Sequence, residues 1–295
     1  MKPTDSNQFF ELLESSGILI TKEYREKIQS KFDDVLNYEP RVGVFGKTGA
    51  GKSSLCNALF GRDICEVSDI AACTRSPQEV VLGMGSRGMT LLDVPGVGES
   101  GERDKEYAAL YRSLLPTLDL ILWVIKGDDR AFSSDEMFYN KIVSPYIKDG
   151  TPFFIVLNQV DKIEPFREWN EEIHMPGPNQ AKSIGEKKHA VAGFFKLPIS
   201  QVIPVSAEER FGLLELVDSV THALPREKRI SILREVKSEH RSENAKEFAE
   251  RGVVEVVVDT LVDLLPDQIP KKVKEVLKTK AKAAVNWVIE KIKFW

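Results

Sequence analysis

The sequence predicts an α/β chain: a mostly parallel six-stranded sheet with one antiparallel strand, covered by helices, plus helical segments at the N- and C-terminal ends. Three observations carry this prediction. Short apolar runs alternate with helix-like stretches through residues 39–225, the first run passes straight into a glycine-rich loop, and two runs are joined only by a turn-rich connection.

The elements follow in order. From Asn7 to Leu36, Phe10, Leu13, Ile18, Ile28, Phe32 and Leu36 recur at roughly helical spacing, which predicts one or two helices broken near Gly17. After Pro40, Val42 to Phe45 form a short strand that enters the loop Gly46 to Ser53, and a helix from Lys52 to Phe60 ends at Gly61. Glu79 to Leu82 and Met89 to Val94 are strand-like. The intervening Gly83 to Gly88 is short enough to make them an antiparallel hairpin. Leu118 to Ile125, Phe153 to Leu157 and Val202 to Val205 are unbroken apolar runs, as expected of strands covered on both faces. Helices are expected around Lys105 to Leu115, Ser134 to Ile147, Lys182 to Phe195 and Gly212 to Leu224.

Beyond Pro225 the character changes to a charge-dense helix, Arg226 to Arg251. Gly252 is read as opening a separate apolar helix, and after Pro266 and Pro270 a lysine-rich helix runs to Trp295. The expected organisation is an N-terminal helical segment (1–38), a central domain (39–225) and a C-terminal helical region (226–295).

Composition bounds the function classes. The 295 residues are 42% hydrophobic and 29% charged, an ordinary globular balance, and the net charge of -4 supplies no global attraction to nucleic acid. Cys56, Cys65 and Cys73 lack metal-ligand spacing and read as reduced thiols, and the N-terminus has no apolar signal region; both point to a cytoplasmic protein. None of His174, His189, His222 and His240 stands in a catalytic spacing, so they are read as structural or solvated.

The run Gly46-Lys47-Thr48-Gly49-Ala50-Gly51-Lys52-Ser53 matches G-x-x-x-x-G-K-[ST] between a strand and a helix. In that context successive backbone N–H groups point at a nucleotide phosphate, Lys52 bridges the β- and γ-phosphates, and Ser53 ligates Mg²⁺. Asp93-Val94-Pro95-Gly96 closes a predicted strand about forty residues later. Asp93 there can hold Mg²⁺ through a water, and the Gly96 N–H can sense the γ-phosphate. Asn158-Gln159-Val160-Asp161 ends another strand, where Asp161 can accept from guanine N1 and N2; adenine lacks that donor pair, which disfavours an ATPase. Ser206-Ala207-Glu208 follows the last strand, where a backbone N–H can meet the guanine carbonyl. Thr74, in the loop Asp63 to Pro77, can close over Mg²⁺ and the γ-phosphate when that loop orders.

With these five segments in order, residues 41–224 resemble the P-loop NTPase G domain of Era-like GTPases of the translation-factor-related class, particularly small bacterial proteins of the YfjP/YkfA type. The resemblance implies binding of GTP/GDP with Mg²⁺ and hydrolysis to GDP and phosphate. It assigns Gly46 to Ser54 to the phosphate loop, Thr74 to the first switch, Asp93 and Gly96 to the second, Asn158 and Asp161 to base reading, and Ser206 to Glu208 to the last loop. Lys52, Thr74 and Gly96 would then carry catalysis, and Ser53, Thr74 and Asp93 the metal.

Three departures qualify it. Val97 stands where Ras-like proteins carry the glutamine that orients water, so positioning falls to the backbone, another residue, a nucleotide-dependent dimer or a partner, and slow hydrolysis is expected. Gln159 replaces the usual lysine, which predicts loss of the ammonium that ties the base loop to the phosphate loop. Gly49 replaces the asparagine of potassium-activated relatives, so no potassium stimulation is expected. Arg75 is read as a surface arginine rather than a catalytic finger.

From Lys271 to Trp295 eight lysines face two acids, and Val273, Leu277, Ala281, Ala284, Val288, Ile292 and Trp295 share one helical face. Three readings stay open: the stripe packs on the preceding helix or the central domain, the helix lies peripherally on an anionic membrane, or it binds RNA. At the level of function, a slow GTP-hydrolysing switch stands beside a nucleotide-dependent interaction module with negligible turnover.

Overall fold

A computed structural model describes residues 10–11, 14, 21–60, 78–84, 87–93, 111–129, 133–147, 150–265 and 271–292. Two compact units form. One comprises Met1–Tyr38, Pro225–Arg234 and Glu243–Trp295, and the other Glu39–Leu224 with Glu235–Ser242.

The larger unit is an α/β sheet domain. Its strands are β1 (Arg41–Phe45), β2 (Gln78–Met84), β3 (Arg87–Asp93), β4 (Leu120–Lys126), β5 (Phe153–Asn158) and β6 (Val202–Pro204), in the order β2-β3-β1-β4-β5-β6. β1 pairs in parallel with β3 and β4, and the parallel pairing continues through β5 to β6; β2 runs antiparallel to β3. Because β1 lies between β3 and β4, the loop that leaves its C-terminal end sits mid-sheet, where α/β domains bind ligands. The start of β1 is pinned by a reciprocal pair: Asp119 Oδ2 accepts from Arg41 N and Asp119 N donates to Arg41 O, both at 2.8 Å.

β4 and β5 are buried along almost their whole length, which is why they read as unbroken apolar runs. Helices α2 (Lys52–Phe60), α3 (Ser133–Phe138), α4 (Pro178–Phe195) and α5 (Leu213–Ala223) belong to this unit. One side of the core is aromatic. Phe45 meets Tyr111 at 5.0 Å and Trp123 at 6.0 Å, and Phe138 meets Tyr111 edge-on at 4.8 Å. Such pairs add about 0.5–1.5 kcal/mol each beyond the burial itself. After α3 the chain widens into a π turn, Tyr139–Val143, and then tightens into a 3-10 turn, Ser144–Tyr146, rather than continuing as the α-helix expected to Ile147. Pro145, lacking an N–H, cannot donate to an ongoing α-helix.

The smaller unit is helical: α1 (Lys22–Leu36), α6 (Arg229–Leu233), α7 (Glu243–Asp263) and α8 (Lys271–Ile292). Thr21 caps α1 by accepting from Tyr24 N. The C-terminal carbonyls of α1 are met by Arg234, which donates to Leu36 O and to Tyr38 O, and Ser231 Oγ donates to Val35 O at 3.1 Å. A cation is favoured there by the helix dipole.

Two expectations are corrected. Arg226 to Arg251 is not one helix: α6 ends at Leu233, residues 235–242 pack into the α/β unit, and α7 starts at Glu243. Lys237 N donates to Leu59 O at the end of α2, and Ser242 Oγ donates to Asp218 Oδ1 on α5, so tertiary partners override the local helical tendency. Gly252 opens nothing; α7 runs through it. A Cβ at Gly252 would lie 2.7 Å from Arg226 O, so the glycine permits close backbone approach. On α8, Ala281 and Val285 are fully buried and the helix packs on α7, the first of the three readings of the tail. Lys278 also pairs with Asp259 of α7, which holds Arg226 as well. Among the described residues no helix is long and apolar enough to cross a membrane.

Candidate guanine-nucleotide site

The phosphate loop leaves β1 at Gly46. Its φ is 142°, and a Cβ there would lie 2.2 Å from Val124 O on β4, so only glycine lets the chain turn against the neighbouring strand. Gly51, φ 84°, passes equally close to Asn158: a Cβ would lie 2.4 Å from Nδ2. The first bond of α2 then runs from Leu55 N to Gly51 O, which leaves the N–H groups of Lys52, Ser53 and Ser54 in the opening turn available to an anion. Lys52 folds back over the loop and donates to Gly46 O at 3.0 Å and Lys47 O at 3.4 Å. Its ammonium is thereby held over the loop, with part of the ordering entropy of a long side chain already spent.

Three loops are tied together by amides. Asn158, almost fully buried, donates from Nδ2 to Ala50 O (3.0 Å) and Gly51 O (3.3 Å) and accepts at Oδ1 from Ala207 N (3.1 Å). One side chain at the end of β5 thus fixes the phosphate loop, the base loop and the last loop. The ammonium expected to be missing at Gln159 is missing, but the amide makes a tie of its own: Nε2 donates to Gly49 O at 3.1 Å. It does so from a left-handed backbone, φ 59°, a conformation that costs a non-glycine residue about 1 kcal/mol or more. The amide therefore keeps the geometric tie and gives up only the charge.

Asp161 sits in the 3-10 turn Val160–Lys162. Its Oδ1 is buried and has no hydrogen-bond partner among the described residues. Such an acceptor is costly unless a donor arrives from outside. Beside it, Ser206 is fully buried, its Oγ accepts from Glu209 N, and Ser206 and Phe211 bridge one another; Ala207 is buried while Glu208 is exposed and 3.8 Å from Lys162. The loop between Asp161 and α4 is fastened to this last loop by His174 Nδ1 and Glu209 Oε2 at 2.6 Å and by Trp169 packed edge-on against Phe211. The hydrogen bond with His174 holds the Glu209 carboxyl below its ordinary range.

Lys47 has a role that its place in the motif did not reveal. Its ammonium is 2.6 Å from Asp135 Oδ2 on α3 and 3.6 Å from Asp129, fastening the loop to the neighbouring helix. Burial raises the Asp135 carboxyl above its ordinary range, opposed by Lys47. Asp135 and Glu136 are acids in the first turn of α3, and no sequence spacing links either to Lys47. Thr48 and Gly49 are exposed on the loop.

The remaining expected residues are only partly placed. The backbone of Asp93 ends β3 in register with Val44, two residues before the phosphate loop. Thr74, Arg75, Gly96 and Val97 lie outside the described residues. Among those described, no cluster of three or more His, Cys, Asp or Glu residues could hold a metal ion. The hydroxyl of Ser53, in the first turn of α2, and a carboxylate, the side-chain type of Asp93, are nevertheless hard oxygen ligands of the kind Mg²⁺ accepts alongside phosphates and water.

A glycine loop at the C-terminal end of a central strand, opening a helix and tied by a buried asparagine to the turn that carries Asp161, defines a P-loop nucleotide-binding protein. Comparison with known proteins agrees. The profile of the family described as 50S ribosome-binding GTPase matches residues 41–159. The protein YkfA of Escherichia coli K12 is 43% identical over 216 residues, 73% of each chain, and YfjP of the same organism 45% over 202 residues, 68% of each. A solved structure of a point variant of Aquifex aeolicus Era bound to GDP·AlF4⁻ superposes with a TM-score of 0.47 at 25% identity, covering 66% of this chain and 65% of that one. The chain belongs to the Era-like P-loop GTPases, in the family of YkfA and YfjP, and binds and hydrolyses GTP.

Proposed function

We propose that the protein is a slow guanine-nucleotide switch in which Gly46 to Ser54 hold the phosphates and Asp161 reads the base. The observation that carries this reading is the buried Oδ1 of Asp161, without a partner among the described residues, on a turn that Asn158 and Gln159 tie to the phosphate loop. Guanine offers N1–H and the 2-amino group to a carboxylate, whereas adenine offers neither there. The last loop, Ser206 to Glu208, would supply its backbone N–H to the guanine carbonyl.

In this reading Lys52 moves little on binding, because its ammonium already lies over the loop, and it neutralises charge developing between the β- and γ-phosphates. Mg²⁺, held by Ser53 and Asp93 and joined by Thr74, would supply further neutralisation of that charge. Thr74 and Gly96 would sense the γ-phosphate. Water positioning is assigned to a nucleotide-dependent dimer or a partner, in keeping with Val97. We extend the reading to a cytoplasmic setting, with the exposed lysines of α8, among them Lys271, Lys280 and Lys282, meeting an anionic membrane or RNA.

The test is a titration of wild type, Lys52→Ala and Asp161→Ala with GTP, GDP and ATP, alongside phosphate release. Wild type should prefer GTP to ATP by at least about a hundredfold, the scale on which buried polar mismatches discriminate. Asp161→Ala should abolish that preference, and Lys52→Ala should stop phosphate release. Equal binding of ATP and GTP by wild type would remove the base-reading assignment. Binding without any phosphate release would favour the interaction module over the switch.

A further inference from the structure

Gln180 stands in the first turn of α4 and is completely buried. Its Nε2 donates to the main-chain carbonyl of Asp161 at 2.9 Å and to that of Ile163 at 3.0 Å. Both neighbours are acceptors, so only the NH₂ end of the amide can face them. The Oε1 atom is left buried without a partner among the described residues. Burying an amide in this way is costly, so its two donated bonds must offset an unmet acceptor.

Those bonds hold one turn. Val160 N is fixed to Val205 O, Lys162 N returns to Gln159 O, and Ile163 N returns to Val160 O. Gln180 grips the same turn from the other side, at the two carbonyls that flank Lys162. The grip is itself anchored: Glu168 Oε2 accepts from Asn179 N (2.9 Å) and Gln180 N (3.2 Å), and Oε1 accepts from Asn179 Nδ2 (2.7 Å). These bonds, with the Asn179 side chain first, hold the Glu168 carboxyl below its ordinary range.

We propose that Gln180 is a positioning residue for base selection: by gripping the Asp161 and Ile163 carbonyls it sets the direction of the Asp161 carboxylate, and with it the preference for a base that carries a 2-amino group. This rests on the guanine reading above. A carboxylate that swings on a loose turn still attracts N1–H, but it loses the paired geometry that separates guanine from hypoxanthine.

The full chain, as wild type, Gln180→Met and Glu168→Gln, is titrated calorimetrically with GDP, IDP and ADP, with circular dichroism to confirm folding. Wild type is expected to favour GDP over both others. If it does not, the guanine reading fails, whatever Gln180 does. Methionine keeps the volume and removes both donors, so Gln180→Met is expected to weaken GDP about tenfold and leave ADP within about twofold, collapsing the GDP to IDP ratio. An unchanged ratio, or equal weakening of all three nucleotides, overturns the proposal. Should Gln180→Met not fold, Glu168→Gln decides: the ratio is expected to fall about threefold as the anchor of Gln180 loosens, and an unaltered ratio overturns it.

Discussion

Lys47 shows how a single side chain can serve the loop without touching its ligand. The motif demands nothing at that position, yet the ammonium lies against a carboxylate whose side chain is only 3% exposed. Removing one member of a buried ion pair leaves the other charge stranded, at a cost of about 3–5 kcal/mol for full burial. Lys47 is itself 28% exposed, so we expect Lys47→Met to destabilise the nucleotide-free protein by about 2–3 kcal/mol in urea denaturation. The double variant Lys47→Met/Asp135→Leu should recover most of this, since an apolar pair of similar volume strands nothing. If it is no more stable than the single variant, the pair is not what fastens the loop to α3. Gln159 makes a related point. Sequence showed a missing ammonium, but whether an amide of that length reaches Gly49 O depends on the left-handed backbone at residue 159, which sequence does not display.

At the scale of elements, Gly252 sets two effects against each other. In an exposed helix, glycine to alanine gains about 1 kcal/mol from backbone entropy. Here the new methyl group would stand 2.7 Å from Arg226 O, a backbone atom that cannot step aside as a side chain would. We expect overlap to win, with Gly252→Ala lowering stability by about 1–2 kcal/mol in thermal melting. A rise in melting temperature would mean that the segment before α6 yields easily. This residue also marks where sequence reading stopped. β1, the phosphate loop and α2 were legible because an apolar run, a glycine pattern and a helical period succeed one another within twenty residues, each local. The place of Asp161 just beyond a strand was legible because it follows a buried apolar run. Gly252 as a close approach, Gln180 as a grip on a turn, and the interruption of the helix expected over Arg226 to Arg251 depend on partners far away in the chain. No local pattern announces them: there is neither proline nor glycine between Arg226 and Arg251.

At the scale of the whole molecule, the segment 235–242 contributes to acid sensitivity. His240 is buried there, and burial pushes its imidazole below the ordinary value of 6.5, with Lys237 and Arg210 adding to the shift against Glu239 and the Ala58 backbone. The unfolded chain therefore binds this proton at a higher pH than the folded one. Stability contributed by the neutral ring is complete above about 6.5 and falls as pH drops below it, by no more than about 1.4 kcal/mol per pH unit for one proton. Melting wild type and His240→Gln between pH 7.5 and 5.5 checks this: the wild type should lose more, and equal losses would reject it. The same segment separates the stretches that build the helical unit. Phe32 and Leu36 of α1 share that unit with α6 and α7, about two hundred residues further on. At ribosomal speeds of roughly 5–20 residues per second, α1 would wait some 10–40 s for those partners, its apolar face uncovered throughout. For a nascent chain this leaves α1 without its native cover until the last quarter of the chain has emerged, the kind of exposed apolar surface on which chaperones act.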